Sequence, residues 1–180
     1  MNAPVALEVD ELVSLCYAQM KRAARRERRR WPQLSDPQTT ELVSSAYLKL
    51  ARSRQWHSVD DFMAAAAKAA REVLVDDARS RTALKRGGRN RDLPLHEVEE
   101  PVAEQKMADQ HLLDMDQALA ELEQLDERLA RLVECRFFAG YTETETSTIL
   151  GLSDRTVRRE WIKARAWLQR RLGATEDLAI

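Results

Sequence analysis

The sequence predicts an all-α fold, and three observations predict it. Glycine and proline number only five each in 180 residues, which leaves few places to break helices and disfavours a sheet protein with many turns. Alanine, leucine, arginine and glutamate dominate, and all four are strong helix formers. Apolar residues recur at three- and four-residue steps along most of the chain, the spacing of a helix with one buried face. The expected architecture is two small helical bundles, 1–90 and 109–173, joined by an acidic linker over 91–108 and followed by a tail, 174–180.

Each element follows from local signals. Val9, Leu12, Cys16, Met20 and Ala24 mark a first amphipathic helix that runs into the basic stretch KRAARRERRRW, and Pro32 with LSDP breaks it. Asp36 then caps a second helix with Pro37 in its first turn, carrying Leu42, Val43, Ala46, Tyr47 and Leu50 inward. The loop RSRQWHS ends at Ser58, which with Asp61 three residues on forms a weak capping box. A long helix follows, packing Phe62, Ala66, Ala69, Ala70 and Val73, and stops at the pair Gly87-Gly88. Periodicity fades from Asn90 to about Ala108, where Pro94, Pro101 and the acids Glu97, Glu99, Glu100 and Glu104 read as linker. It resumes with Leu112, Met115, Leu119 and Leu122, then Leu129, Leu132, Val133 and Phe137, and closes at Gly140. Thr142 with Glu145 makes a capping box for a short helix through Leu150. Gly151 turns the chain, and Ser153 caps a last helix that reaches about Leu172.

The formal net charge of −1 hides an uneven distribution: +6 over 1–90, −3 over 91–108, −7 over 109–150, +5 over 151–175 and −2 over the last five residues. Such alternation points to faces for different partners rather than one uniform polyanion binder. Cys16 and Cys135 sit in apolar helical patterns and are expected to be buried reduced thiols. No metal-ligand spacing joins them to His57, His96 or His111, and no phosphate-cradling glycine loop or nucleophile–base set appears; neither a cofactor nor enzymatic activity is expected. No apolar run approaches a membrane span and no signal segment opens the chain, so membrane insertion is not expected and a cytoplasmic location is. The short tail after Gly173 leaves the expectation that any regulator acts from outside.

Short helix, glycine turn and capped longer helix is the helix-turn-helix plan. Leu150, Leu152 and Val157 fill the angle between its helices, and Val157, Trp161, Ala164 and Leu168 form the core-facing stripe of the last one. Arg155, Arg158, Arg159 and Lys163 lie off that stripe. The first turns of such a helix enter the major groove, where arginine meets guanine bidentately and its neighbours hold phosphates.

On those residues the segment LVECRFFAGYTETETSTILGLSDRTVRREWIKARAWLQRRLG resembles the C-terminal promoter-reading domain of extracytoplasmic-function (ECF) sigma factors of the sigma-70 superfamily. In the first half, FMAAAAKAAREVLVDDARSR is similar to that family's promoter-melting helix, and ELVSSAYLKLAR sits where its polymerase-binding helix belongs. The resemblance spans about 8–173 and implies a protein that binds bacterial core RNA polymerase and promoter DNA and helps part the strands. It implies that Arg155, Thr156, Arg158, Arg159 and Lys163 read the minus-35 element, and that Arg71, Asp76 and Arg79 lie near the minus-10 element. The loop carrying Arg54, Trp56 and His57 would capture a flipped base, with Trp56 and His57 as stacking surfaces. The linker would thread the polymerase's RNA exit path.

One stretch departs from the family pattern. Where the polymerase-binding helix usually carries several acids, this chain reads QTTELVSS over Gln38 to Ser45. Only Glu41 is charged; Leu42 and Val43 offer apolar docking, and Thr39, Thr40, Ser44 and Ser45 offer hydroxyls. Phosphorylation adds roughly −1.5 to −2 per site, near a helix N-terminus that favours anions. A serine/threonine protein kinase acting on Thr39 or Thr40 is therefore an expected partner, beside an anti-sigma factor. The competing reading is a stand-alone helix-turn-helix regulator whose N-terminal half serves as a dimerisation or signal module.

Overall fold

A computed structural model describes residues 12, 21, 36–51, 56–87 and 99–173, with side chains for 12, 21, 41, 43–51, 56–83 and 106–173. Cys16 and Arg54, and the side chains of Thr39, Thr40 and Leu42, for which the sequence raises expectations, lie outside the described residues. The described residues are all-α: α1 (Asp36–Leu50), α2 (Val59–Gly87), α3 (Glu99–Leu125), α4 (Glu127–Val133), α5 (Glu143–Leu150) and α6 (Asp154–Leu172). A π-helical turn, Glu134–Phe138, continues α4.

Helix boundaries fall where backbone chemistry places them. Ser58 Oγ accepts from the Asp61 amide at 3.0 Å to open α2, which ends at Gly87. Asp126 caps α4 through the Leu129 amide. α3 begins at Glu99, so residues 99–108 of the expected linker are helical. The physical reason is local: Pro101 falls in the first turn, where no intrahelical amide bond is lost, and Glu99 and Glu100 suit the positive end of the helix dipole. The proline and the acids that looked like linker are equally the marks of a helix start.

The two halves of the sequence lie against each other, and α2 joins them. Its first half gives Phe62, Met63, Ala66, Ala67 and Ala69 to a core shared with Val43, Ala46 and Leu50 of α1, and with Cys135, Ala139, Tyr141 and Ile149. Its second half gives Leu74, Val75 and Ala78 to a core built by Leu112, Met115, Leu119 and Leu122 of α3 with Val133, Phe137, Phe138, Ala164 and Leu168. The alanines let neighbouring backbones approach closely along α2.

The π turn explains how so short a stretch serves both cores. The Ala139 amide bonds the Glu134 carbonyl at 2.9 Å, five residues back. The widened turn buries Glu134, Cys135, Phe137 and Phe138 together, which a regular helix with one apolar face does not do. Phe137 and Phe138 meet edge to face, centroids 4.9 Å apart. Burial and the neighbouring Glu134 charge push the Cys135 thiol up to about 12, so it stays a protonated core residue. Leu119, wholly buried between α3 and the second core, is a direct probe of that packing. Leu119→Ala should lower unfolding stability by about 2–5 kcal/mol, read as a shifted urea midpoint with an unchanged slope.

Candidate nucleic-acid interface

Helices α5 and α6 meet through a three-residue turn built by capping. Thr142 Oγ1 accepts from the Glu145 amide at 3.2 Å, while the Glu145 carboxylate accepts from the Thr142 amide at 2.7 Å. Gly151 closes α5 in the left-handed region, φ 63° and ψ 35°, where a side chain is strained. The Leu152 amide reaches back to the Ser147 carbonyl at 2.8 Å, and Ser153 Oγ caps α6 through the Thr156 amide at 3.2 Å.

On α6, Val157, Ala164 and Leu168 are fully buried and Trp161 is half-buried, with the Arg136 guanidinium 5.5 Å from its ring centroid. Arg155, Arg158, Arg159 and Lys163 are exposed. Two carboxylates not anticipated from the sequence hold three of these cations in place. Glu143, the first residue of α5, accepts from Arg158 Nη2 at 2.7 Å and Nε at 3.3 Å. Glu160, buried on α6, accepts from Arg159 Nε and Lys163 Nζ, each at 3.1 Å. Burial pushes the Glu160 carboxyl up, but those two donors overcome it and leave it below the ordinary carboxylate value. Arg155 makes no ion pair among the described residues and stands free at the tip of the helix. Thr156 is half-buried, its hydroxyl 2.9 Å from Ser153 Oγ.

The expected minus-10 residues of the first half are placed differently. Trp56 is buried, edge to face with Phe62 at 5.5 Å. Its ring is a core contact rather than an open stacking surface, while His57 is exposed with Nδ1 3.7 Å from the Asp61 carboxylate. Arg71, expected to face DNA, is 7% exposed. Its Nε donates to Asp116 Oδ1 at 2.8 Å, Nη2 to the Asp116 carbonyl at 3.0 Å, and Nη1 to Glu134 Oε1 at 3.0 Å. Burial raises the Glu134 carboxyl above its ordinary value, and Arg71 only partly counters that. Arg79 Nη2 lies 2.9 Å from Asp116 Oδ2, and exposed Asp76 pairs with Lys49 at 2.9 Å. The acids of α3 and the π turn are thus the partners that sequence reasoning missed. A signal was present: Asp109, Asp116 and Glu123 recur every seven residues.

On α1, Glu41 and Ser44 are exposed and Ser45 is half-buried, whereas Val43 is buried in the chain's own core. Val43 therefore supports α1 from beneath, and its expected apolar docking is corrected accordingly. Among the described residues no group of three metal-ligating side chains occurs, and no helix is long and apolar enough to cross a membrane.

An exposed cationic tip on a capped helix is the kind of surface that nucleic-acid-binding proteins present. The family model described as ECF sigma factor matches residues 6–174, and the chain belongs to that family. It is a sigma factor, a subunit that directs RNA polymerase to promoters through contacts with core polymerase and promoter DNA. No curated protein and no solved structure matches the chain.

The turn carries a simple test. A Cβ at residue 151 meets nothing within 4 Å, so Gly151→Ala costs only backbone strain, about 1–2 kcal/mol. Gly151→Asn should recover part of it, because asparagine tolerates the left-handed region. Thermal unfolding of the two variants checks the order.

Proposed function

We propose that α6 reads the minus-35 element and that α2, with the loop before it, engages the minus-10 element and helps part the strands. The observation that carries this reading is the family match across both halves, coupled with the orientation of the α6 cations. Arg155 is the direct base reader: it projects from the first turn, and among the described residues no carboxylate pairs with its fork. Arg158, Arg159 and Lys163 share their charge with Glu143 and Glu160, which suits phosphate positioning more than base reading. Thr156 spends its hydroxyl on the cap and orients the helix start. In the first half, Arg71, Arg79 and Asp76 face the minus-10 strand once their present partners are released, and His57 with Arg54 guides a flipped base.

Polymerase docking uses the exposed face of α1 around Glu41, Ser44 and Ser45. A single carboxylate there makes a weak electrostatic contact, since close charge pairs govern such docking. Thr39 and Thr40 belong to the first turns of α1, and phosphorylation by a serine/threonine kinase there supplies the missing anionic charge where the helix dipole favours it. An anti-sigma factor is the other regulator that this reading accommodates.

Two measurements check the reading. Arg155→Ala should lower run-off transcription from a cognate promoter by about 10- to 100-fold, the worth of a bidentate arginine–guanine contact, and relax base preference at one minus-35 position. Equal losses at every sequence would instead mean phosphate binding. Kinase treatment should raise core-polymerase affinity of the parent chain and leave Thr39→Ala/Thr40→Ala unchanged. Full transcription by that double variant in cells ends the phosphorylation switch.

A further inference from the structure

We infer that Ile162 of α6 is a thymine reader: its side chain packs against the C5 methyl group of one thymine in the minus-35 element, a few base-pair steps from the base that Arg155 contacts. This inference deepens the proposed reading of α6 and rests on it. The helix buries Val157, Ala164 and Leu168 and half-buries Trp161, Trp167 and Leu172, yet leaves Ile162 63% exposed. Successive residues turn by about 100°, so Ile162 stands about 200° around the axis from both Glu160 and Ala164. Those two are buried, which puts Ile162 on the side away from the core. A lone exposed isoleucine needs no partner in general; this one is set apart by the row in which it stands. Arg155 lies two turns before it and Arg158 and Arg159 one turn before it, all exposed on the same face.

The chemistry of that face selects the occupant. Arg158, Arg159 and Lys163 flank the isoleucine, their charged heads held by Glu143 and Glu160. Whatever meets this face must therefore offer anionic groups close beside an apolar one. Duplex DNA offers both: phosphates line the groove walls, and the thymine methyl is the apolar group on the major-groove base edges. Isoleucine suits the contact by its stiffness as well. Branching at Cβ holds χ1 in one main rotamer within a helix, so its methyl groups keep a fixed place. Seven residues of helix advance about 10 Å, and base pairs repeat every ~3.4 Å, which sets the thymine about three steps from the base beneath Arg155. The two contacts differ in kind. Arg155 selects hydrogen-bond acceptors, whereas Ile162 selects a methyl group that cytosine in the same place lacks.

The test uses holoenzyme reconstituted from the full chain and core polymerase, on a cognate promoter whose minus-35 thymines, on both strands, are replaced one at a time by deoxyuridine. Uracil differs from thymine by the methyl group alone. At one position the replacement should weaken promoter binding by the parent about three- to fivefold, the effect of one buried methyl group. Ile162→Ala should bind the thymine and uracil promoters equally. Because the Ile162 side chain is exposed and takes no part in either core, the variant keeps its fold. A parent indifferent to every uracil, a cognate minus-35 element with no thymine on either strand, or a methyl preference that survives Ile162→Ala overturns the contact. Each of these leaves the Arg155→Ala effect standing. A holoenzyme that ignores minus-35 sequence altogether is a separate failure, which overturns the reading of α6 and the thymine contact together.

Discussion

Arg71 sits where the two apolar cores meet, and its buried guanidinium fixes how the halves lie together. Upstream of it α2 packs against α1; downstream it packs against α3 and the C-terminal helices. A cation at that seam can be enclosed only because two carboxylates and a carbonyl satisfy it. The same fact restricts the arrangement, since removing either carboxylate leaves a desolvated charge that neighbouring methyl groups cannot repair. Apolar contact supplies most of the adhesion between α2 and α3, while the ion pairs select one register out of several that the alanines and leucines would tolerate. Ion pairs with charged heads this exposed contribute little by themselves; Lys68 with Glu123 and Arg79 with Asp116 matter as members of an ordered set.

The C-terminal helices obey a different logic. α6 is held against α3 and α4 by Ala164 and Leu168, and by Arg171, which clasps Glu121 with two 2.6 Å hydrogen bonds. Its outer face remains charged and ready. The carboxylates of Glu143 and Glu160 lower the local positive potential but fix where the cations point, exchanging raw attraction for orientation. An ungoverned arginine cluster would hold any duplex. On the proposed reading of α6, a cluster with one unrestrained fork and three tethered cations favours a particular docking pose, which discrimination between sequences requires.

Much of this was legible in the sequence. The caps at Ser58, Thr142 and Ser153 and the turn at Gly151 are short-range devices, so local spacing located them within the chain. The buried stripe of α6 followed from periodicity alone, with one exception. Glu160 lies on it because two basic neighbours within reach solvate a carboxylate that composition would place outside. What local spacing could not reveal depended on contacts far apart in sequence. Trp56 reads equally as a stacking platform or a core ring until Phe62 is seen against it. The acids of 91–108 read as linker because proline and glutamate mark helix starts as well as loops. The burial of Arg71 depends on residues 45 and 63 positions away, beyond the reach of any window. The seven-residue repeat of Asp109, Asp116 and Glu123 is present in the sequence, but nothing local names its partners on α2.

The π turn after α4 has a consequence for how this chain can change over time. Each residue of a helix advances the next by about 100° around the axis, and the extra residue held between Glu134 and Phe138 sets the angle at which α5 and α6 leave the second core. Loss of one residue there would relax the turn into a regular helix, and everything beyond it would swing by roughly that angle. Phe137 and Phe138 would then compete for one slot, and the cations at the tip of α6 would aim elsewhere. Substitutions can accumulate along this segment, but a change in its length would re-aim α5 and α6 relative to α3 and α4.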